Sequence, residues 1–218
     1  RLSNPIATYP NGTVAPLNVT DGTITVLEGS GEKLSEAGVV SAASFLAGPI
    51  APGQITTFFG QGIGPESALL PETGASSEML GGISVFFDGM PAPLLYAGPN
   101  QINLVTPFGV TVGESTEILV HKEGLTTAGL LVGVAAAAPA MFALGAGGSG
   151  PGAILNQDET VNSGSNPAER TQVIAIFATG AGQFDPPGVD GGISEGISQH
   201  PLLPVTVRIG GQEAEVLY

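Results

Sequence analysis

Cysteine is absent from the chain, which excludes disulfides and thiolate chemistry of any kind. Cations are nearly as scarce: five Lys and Arg stand against 19 Asp and Glu, for a net charge of −14. So few cations cannot neutralise a row of phosphates, which argues against nucleic acid as a partner. An anionic membrane surface is disfavoured on the same ground. The longest apolar stretch, Leu130 to Leu144, is short for a bilayer span and is broken by Gly133 and Pro139. It reads as a buried strand followed by a turn, and no membrane insertion is expected. The two histidines, His121 and His200, lie far apart in the sequence without ligand spacing, so no zinc site is expected.

What is present points to β-structure. Apolar residues make up 42% of 218 positions, enough for real cores and for two sandwiches of roughly 100 residues each. The chain has 34 glycines and 18 prolines, which suits short strands joined by tight turns and argues against long helices. A strand-turn-strand unit occurs twice. Ile83–Tyr96 aligns without a gap on Val205–Tyr218, and upstream Gln54–Gly64 aligns on Gln172–Gly182 in the same order. After Tyr96 the first copy runs on through further strand-like segments to about Leu144, whereas the second has nothing after Tyr218. A module without its last strands exposes main-chain donors and acceptors and an apolar face. The expectation is that residues of a longer chain, or a strand from another molecule, cover them.

The period-two patterns predict an all-β fold: two tandem Ig-like β-sandwich modules behind an N-terminal extended strand arm. Residues 1–35 form the arm, 36–146 the first module and 147–218 the second. In the arm, Thr23–Leu27 alternates behind the turn pair Asp21-Gly22, Val14–Val19 is a further edge strand, and residues 29–33 read as a linker. Strands are expected in the first module at Ile55–Phe59, Ile83–Phe87, Leu94–Tyr96, Gln101–Thr106, Glu117–His121 and Leu130–Ala135, with a hairpin turn at Asp88-Gly89. In the second they are expected at Ala153–Leu155, Val173–Phe177, Val205–Ile209 and Ala214–Tyr218. Residues 60–77 and 184–204 read as long loops, 143–151 as the junction, and Ala42–Leu46 as the one weakly helical stretch.

Several short motifs suggest chemistry and fail on context. Gly192-Ile-Ser194-Glu-Gly196 fits a nucleophile elbow with His200 nearby, but Asp185-Pro-Pro-Gly before it and His200-Pro201 after it leave no strand-turn-helix frame. Gly145-Ala-Gly147-Gly-Ser-Gly150 has dinucleotide-loop spacing, yet Pro151 follows and no βαβ unit surrounds it. Asp158-Glu159 and Asp185 to Asp190 could hold calcium loosely, without an EF-hand register, and read better as solvated loop acids. Asn11-Gly-Thr13 and Asn18-Val-Thr20 are glycosylation sequons, so a surface glycan is conceivable, although surface polarity explains them as well. Tyr96 and Tyr218 share a repeat position, which favours a structural tyrosine over a sugar-stacking platform. No catalytic residue, metal ligand or cofactor is expected.

A scatter of stretches adds to this reading. Gly38–Phe45, Ile50–Gly53, Pro91–Tyr96, Asn100–Asn103, Ala138–Phe142, Ala153–Asp158, Val161–Ser163, Asn166–Ala168 and Ala178–Gly182 together resemble the C-terminal domain of secreted proteins of Solibacter-type acidobacteria. The likeness spans 38–218 and extends to IPT/TIG-type Ig-like sandwiches. It implies an extracellular location, no assigned catalysis, and a tail that continues past the position of Tyr218 with an Ile/Val-rich strand.

These readings converge on an extracellular, cell-surface structural protein whose partners are other copies of itself. The arm would supply a donor strand through Leu17, Val19, Thr23, Ile24, Thr25, Val26 and Leu27. The acceptor edge would be Val205, Val207, Ile209, Val216 and Tyr218, and repetition would give a pilus-like head-to-tail filament. The alternative is a carbohydrate- or protein-binding appendage of a longer secreted or cell-surface protein.

Overall fold

The computed structural model describes residues 17–20, 23–26, 33–72, 76–127, 129–145, 147–193 and 199–217. Asn11, Asp21-Gly22, Leu27, the linker residues 29–32, Ser194 to Gly196 and Tyr218 lie outside them. The chain divides into two compact units, residues 1–32 and 33–218, and all described regular structure is β.

In the first unit, β1 (Leu17–Thr20) and β2 (Thr23–Val26) form an antiparallel ribbon with Leu17 opposite Val26 and Thr20 opposite Thr23. The expected donor strand is thus partnered by its neighbour in the arm.

The second unit begins with a sandwich. β3 (Lys33–Ser41), starting inside the stretch read as linker, precedes β4 (Ile55–Gln61), β5 (Ile83–Phe87), β6 (Met90–Pro91), β7 (Leu94–Gly98), β8 (Gln101–Val105), β9 (Ser115–Lys122), β10 (Leu125–Thr126) and β11 (Leu130–Gly133). One antiparallel sheet has the order β3-β4-β8-β7. The other runs β10-β9-β5-β6, with β11 also on β9. Alternation drives both: in β8, Ile102 and Leu104 are buried while Gln101, Asn103 and Val105 are not. Phe58 of the first sheet and Phe87 of the second meet across the core with ring centroids 6.1 Å apart. Ala42–Leu46, read as weakly helical, is a turn: Phe45 takes φ 53°, in the left-handed region, and its N–H donates to Ser41 O at 2.9 Å.

Beyond Val134 the strands shorten. β12 (Ala140–Met141), β13 (Ile154–Leu155), β14 (Ala175–Ile176), β15 (Ala178–Thr179), β16 (Phe184–Asp185), β17 (His200–Pro201), β18 (Val207–Ile209) and β19 (Gln212–Ala214) form four two-stranded ribbons: β12-β15, β13-β14, β16-β17 and β18-β19. The expected strand Val173–Phe177 is divided, because Ile176 pairs with Ile154 while Ala178 pairs with Met141. The loop 184–204 contains the β16-β17 ribbon. Every fully buried apolar residue described lies between Val39 and Val134, so the sandwich core belongs to the first half.

Candidate strand-acceptor edge

The second hairpin, β18-β19, copies the first, β5-β6, down to its backbone. Across the first turn Phe87 pairs with Met90 and Phe86 with Pro91. Across the second, Ile209 pairs with Gln212 and Arg208 with Glu213. Asp88-Gly89 has φ values of 48° and 82°, and Gly210-Gly211 has 58° and 83°. Positive φ at both central residues marks the turn whose twist matches a two-residue hairpin. Each half therefore builds the same hairpin from local sequence.

Burial separates the two. Ile83, Val85 and Phe87 are all 0% exposed, whereas Val205 is 39% and Ile209 53% exposed. The difference has two visible causes, an opposing sheet whose Phe58 covers Phe87 and a neighbouring strand. β5 has a second neighbour in β9, with Val85 opposite Val120 and Phe87 opposite Ile118. Among the described residues β18 pairs with β19 alone. Its outer edge offers main-chain groups to a further strand, and its apolar side chains gain no cover from one. Of the other expected acceptor residues, Val207 and Val216 are partly buried and Tyr218 is not described. On the far side of the hairpin Arg208 pairs with Glu213 at 3.2 Å, both well exposed.

The remaining expected sites stand apart. His121 stacks on Phe86 with ring centroids 4.6 Å apart, while His200 lies in β17. Among the described residues no three His, Cys, Asp or Glu gather where a metal could bind. Asp190, considered as a calcium ligand, accepts the Phe108 N–H at 2.8 Å. Asp158 accepts the Thr160 hydroxyl at 2.6 Å and its N–H at 3.1 Å, and these bonds hold the carboxyl below its ordinary pKa. Tyr96 is partly buried and lies over Gly98, where a Cβ would stand 2.5 Å from its hydroxyl. Asn18, one of the two sequons, sits in β1 opposite Thr25.

Sequence reasoning did not single out the seam between the halves. Ile55 N–H donates to Thr179 Oγ1 at 2.7 Å, and Gln183 Nε2 donates to Phe108 O at 2.6 Å. The Phe108 ring meets Phe184 edge-on at 6.2 Å and lies against Gly53 and Gly188, each too close to admit a Cβ. Nothing in the periodicity flags a lone loop phenylalanine.

Comparison with known proteins finds no family model that matches the chain and no curated protein that matches it.

Proposed function

We propose that the chain is a non-catalytic structural protein of a bacterial exterior, whose second half takes up an added β-strand from the N-terminal arm of another copy. The observation that carries this reading is the contrast between Phe87 and Ile209. They are one position of one repeated hairpin, sealed in the first half and 53% exposed in the second. Strand addition draws affinity from main-chain hydrogen bonds and specificity from alternate side chains. The arm carries the required alternation in Leu17, Val19, Ile24 and Val26. Donor and acceptor are different surfaces, so repetition without closure gives a filament. A net charge of −14 opposes side-by-side bundling of such filaments. The extracellular placement rests on the resemblance of 38–218 to the Solibacter-type domain.

The test is electron microscopy and sedimentation of the full chain and of the chain lacking residues 1–32, at matched salt and concentration. Association that disappears with the arm supports the proposal. Monodisperse monomers from both preparations overturn it. A second reading, a binding appendage of a longer secreted protein, is favoured by the pairing of β1 with β2, which already gives each arm strand a partner. In that reading the strand beside β18 belongs to the same polypeptide, and no arm-dependent association occurs.

A further inference from the structure

We infer that the β1-β2 ribbon is a self-inhibited form of the donor, and that the arm must open before either strand can join β18 of another copy. This rests on the strand-acceptor reading above and concerns which main-chain groups are free.

Alternate residues of an antiparallel strand send their N–H and C=O groups to opposite sides. β9 shows which set faces the hairpin. Glu117 O accepts from Asp88 N–H at 2.9 Å, and Glu123 N–H donates to Gly82 O at 3.3 Å. Val120 turns the other way: its O accepts from Thr127 N–H at 2.9 Å and its N–H donates to Thr127 Oγ1 at 3.0 Å. The buried positions Thr116, Ile118 and Val120 therefore bond away from β5, and the positions between them bond toward it. β5 is consistent, because Val85 O accepts from Ala92 N–H at 2.8 Å on the β6 side. By repeat equivalence, β18 presents the main-chain groups of Thr206 and Arg208 at its outer edge.

An arm strand in the place of β9 must put Ile24 and Val26 where Ile118 and Val120 stand. A shift by one residue would turn Thr23 and Thr25 to the core. Ile24 then faces Ile209, Thr25 faces Arg208 and Val26 faces Val207, and the bonds to β18 come from Thr23 and Thr25. In a two-residue hairpin the pair bracketing the turn is the bonded one. The first half shows this: Val85 and Ala92 are bonded, so Phe87 and Met90, two residues nearer the turn, are bonded as well. In the arm the bracketing pair is Thr20 and Thr23, so Asn18 and Thr25 form the next bonded pair. The groups needed for β18 are thus the ones already used on β1. The same holds for β1 as donor, where Leu17 and Val19 would face the core and Asn18 and Thr20 would have to bond. Ribbon and donated strand exclude each other.

What is gained on opening is area. Two arm side chains, Ile24 and Val26 or Leu17 and Val19, and the acceptor residues facing them, at roughly 100 Å² apiece plus main chain, remove on the order of 500 Å² from water. That is the size of a weak, reversible contact, held largely by its main-chain bonds. A two-stranded ribbon of four pairs is marginal by itself, so it regulates assembly without preventing it.

Two variants of the full chain test this by sedimentation velocity and light scattering. Asn18→Pro removes one donor of the ribbon and leaves Thr23 and Thr25 intact, and association should quicken by about fivefold per main-chain bond released. V19C/I24C introduces the only cysteines, at a pair where the strands approach closely enough for a disulfide. Oxidised, it should stay monomeric; reduced, the same variant should associate, more weakly than the parent because Ile24 has lost apolar surface. If the parent associates through its arm but Asn18→Pro is no faster and the oxidised pair associates unhindered, the inhibition is overturned while the acceptor reading stands. If the parent and Asn18→Pro are both monomeric at every concentration, both fail.

Discussion

Replacing matched residues in the two hairpins should give opposite outcomes. Phe87 is fully buried, packed on Phe58 and opposite Ile118. Truncating such a residue to alanine loses its transfer free energy and leaves a cavity, for about 3–5 kcal/mol. That is a large part of a typical stability of ~5–15 kcal/mol. At ~2–4 °C per kcal/mol for a domain of this size, Phe87→Ala should lower Tm by about 6–20 °C. Ile209 holds the same position in the second hairpin with about half its surface in water. Its truncation leaves no closed cavity and should cost under ~1 kcal/mol, a shift of about 4 °C or less. Val85→Ala and Val207→Ala repeat the comparison with one residue type, and the first should again cost more. The assay is thermal unfolding followed by circular dichroism, at concentrations low enough to keep the chain monomeric. If Ile209→Ala lowers Tm as much as Phe87→Ala does, the second hairpin is sealed within its own chain, and the argument for an added strand collapses. Under the proposal, the cost of Ile209→Ala rises with protein concentration, because only association buries that side chain.

Three other outcomes follow from single contacts. The Thr116 hydroxyl is buried with no hydrogen-bond partner, so Thr116→Val should stabilise by about 1 kcal/mol in urea unfolding; destabilisation would mean the hydroxyl is bonded after all. Phe108→Ala removes the ring between Gly53 and Gly188 and, with the ring partly exposed, should cost about 2 kcal/mol. Faster hydrogen exchange in 184–193 than in β4 or β8 would show that the seam had loosened, and unchanged exchange there would contradict the clamp. Thr160 holds the Asp158 carboxyl below its ordinary pKa, so its bonds stabilise the 156–166 loop at neutral pH and are lost as pH falls through the depressed value. A carboxyl titration by NMR should place Asp158 below an unfolded-peptide aspartate, and Thr160→Val should return it.

The first half was legible because strands such as β8 and β9 have one dry face, which imposes period two, and because β4 and β5 are apolar runs between turn residues. Ile83–Phe87 appears with the expected bounds, and Asp88-Gly89 makes the expected turn. The second half was legible where it repeats the first, at Gly210-Gly211, and at Ile154–Leu155, a strand inside the expected Ala153–Leu155. Its other ribbons are two residues long, too short for a period to register, and Ala178 and Ala175 take different partners for reasons outside their own segment. At the seam, Phe108 meets Asp190 and Gln183 across long sequence separations, and neither composition nor spacing announces such contacts. In the arm the alternation of Thr23–Val26 was readable, but its pairing with Leu17–Thr20 reversed the meaning of that strand, from a free donor to a partnered one.

The two hairpins separate local from tertiary causes with few confounding variables. Turn, register and apolar alternation are alike in both, so none of these explains why Phe87 is dry and Ile209 is not. What differs is the cover: Phe58 of the opposing sheet packs on Phe87, and β9, a separate strand, bonds β5 through the positions between its buried residues and flanks it with Ile118 and Val120. An edge such as β18 is ordinarily guarded against unplanned pairing by charge, proline or brevity. Here the strand is three residues long, Pro204 lies shortly before it, and Arg208 at its centre pairs with Glu213. These features discourage casual partners without closing the edge to a strand of the right alternation. Under the proposed reading, the arm supplies that alternation and its ribbon withholds the bonding groups until it opens. Specificity would then come from two requirements together, a matching register and a donor that must first give up its own partner.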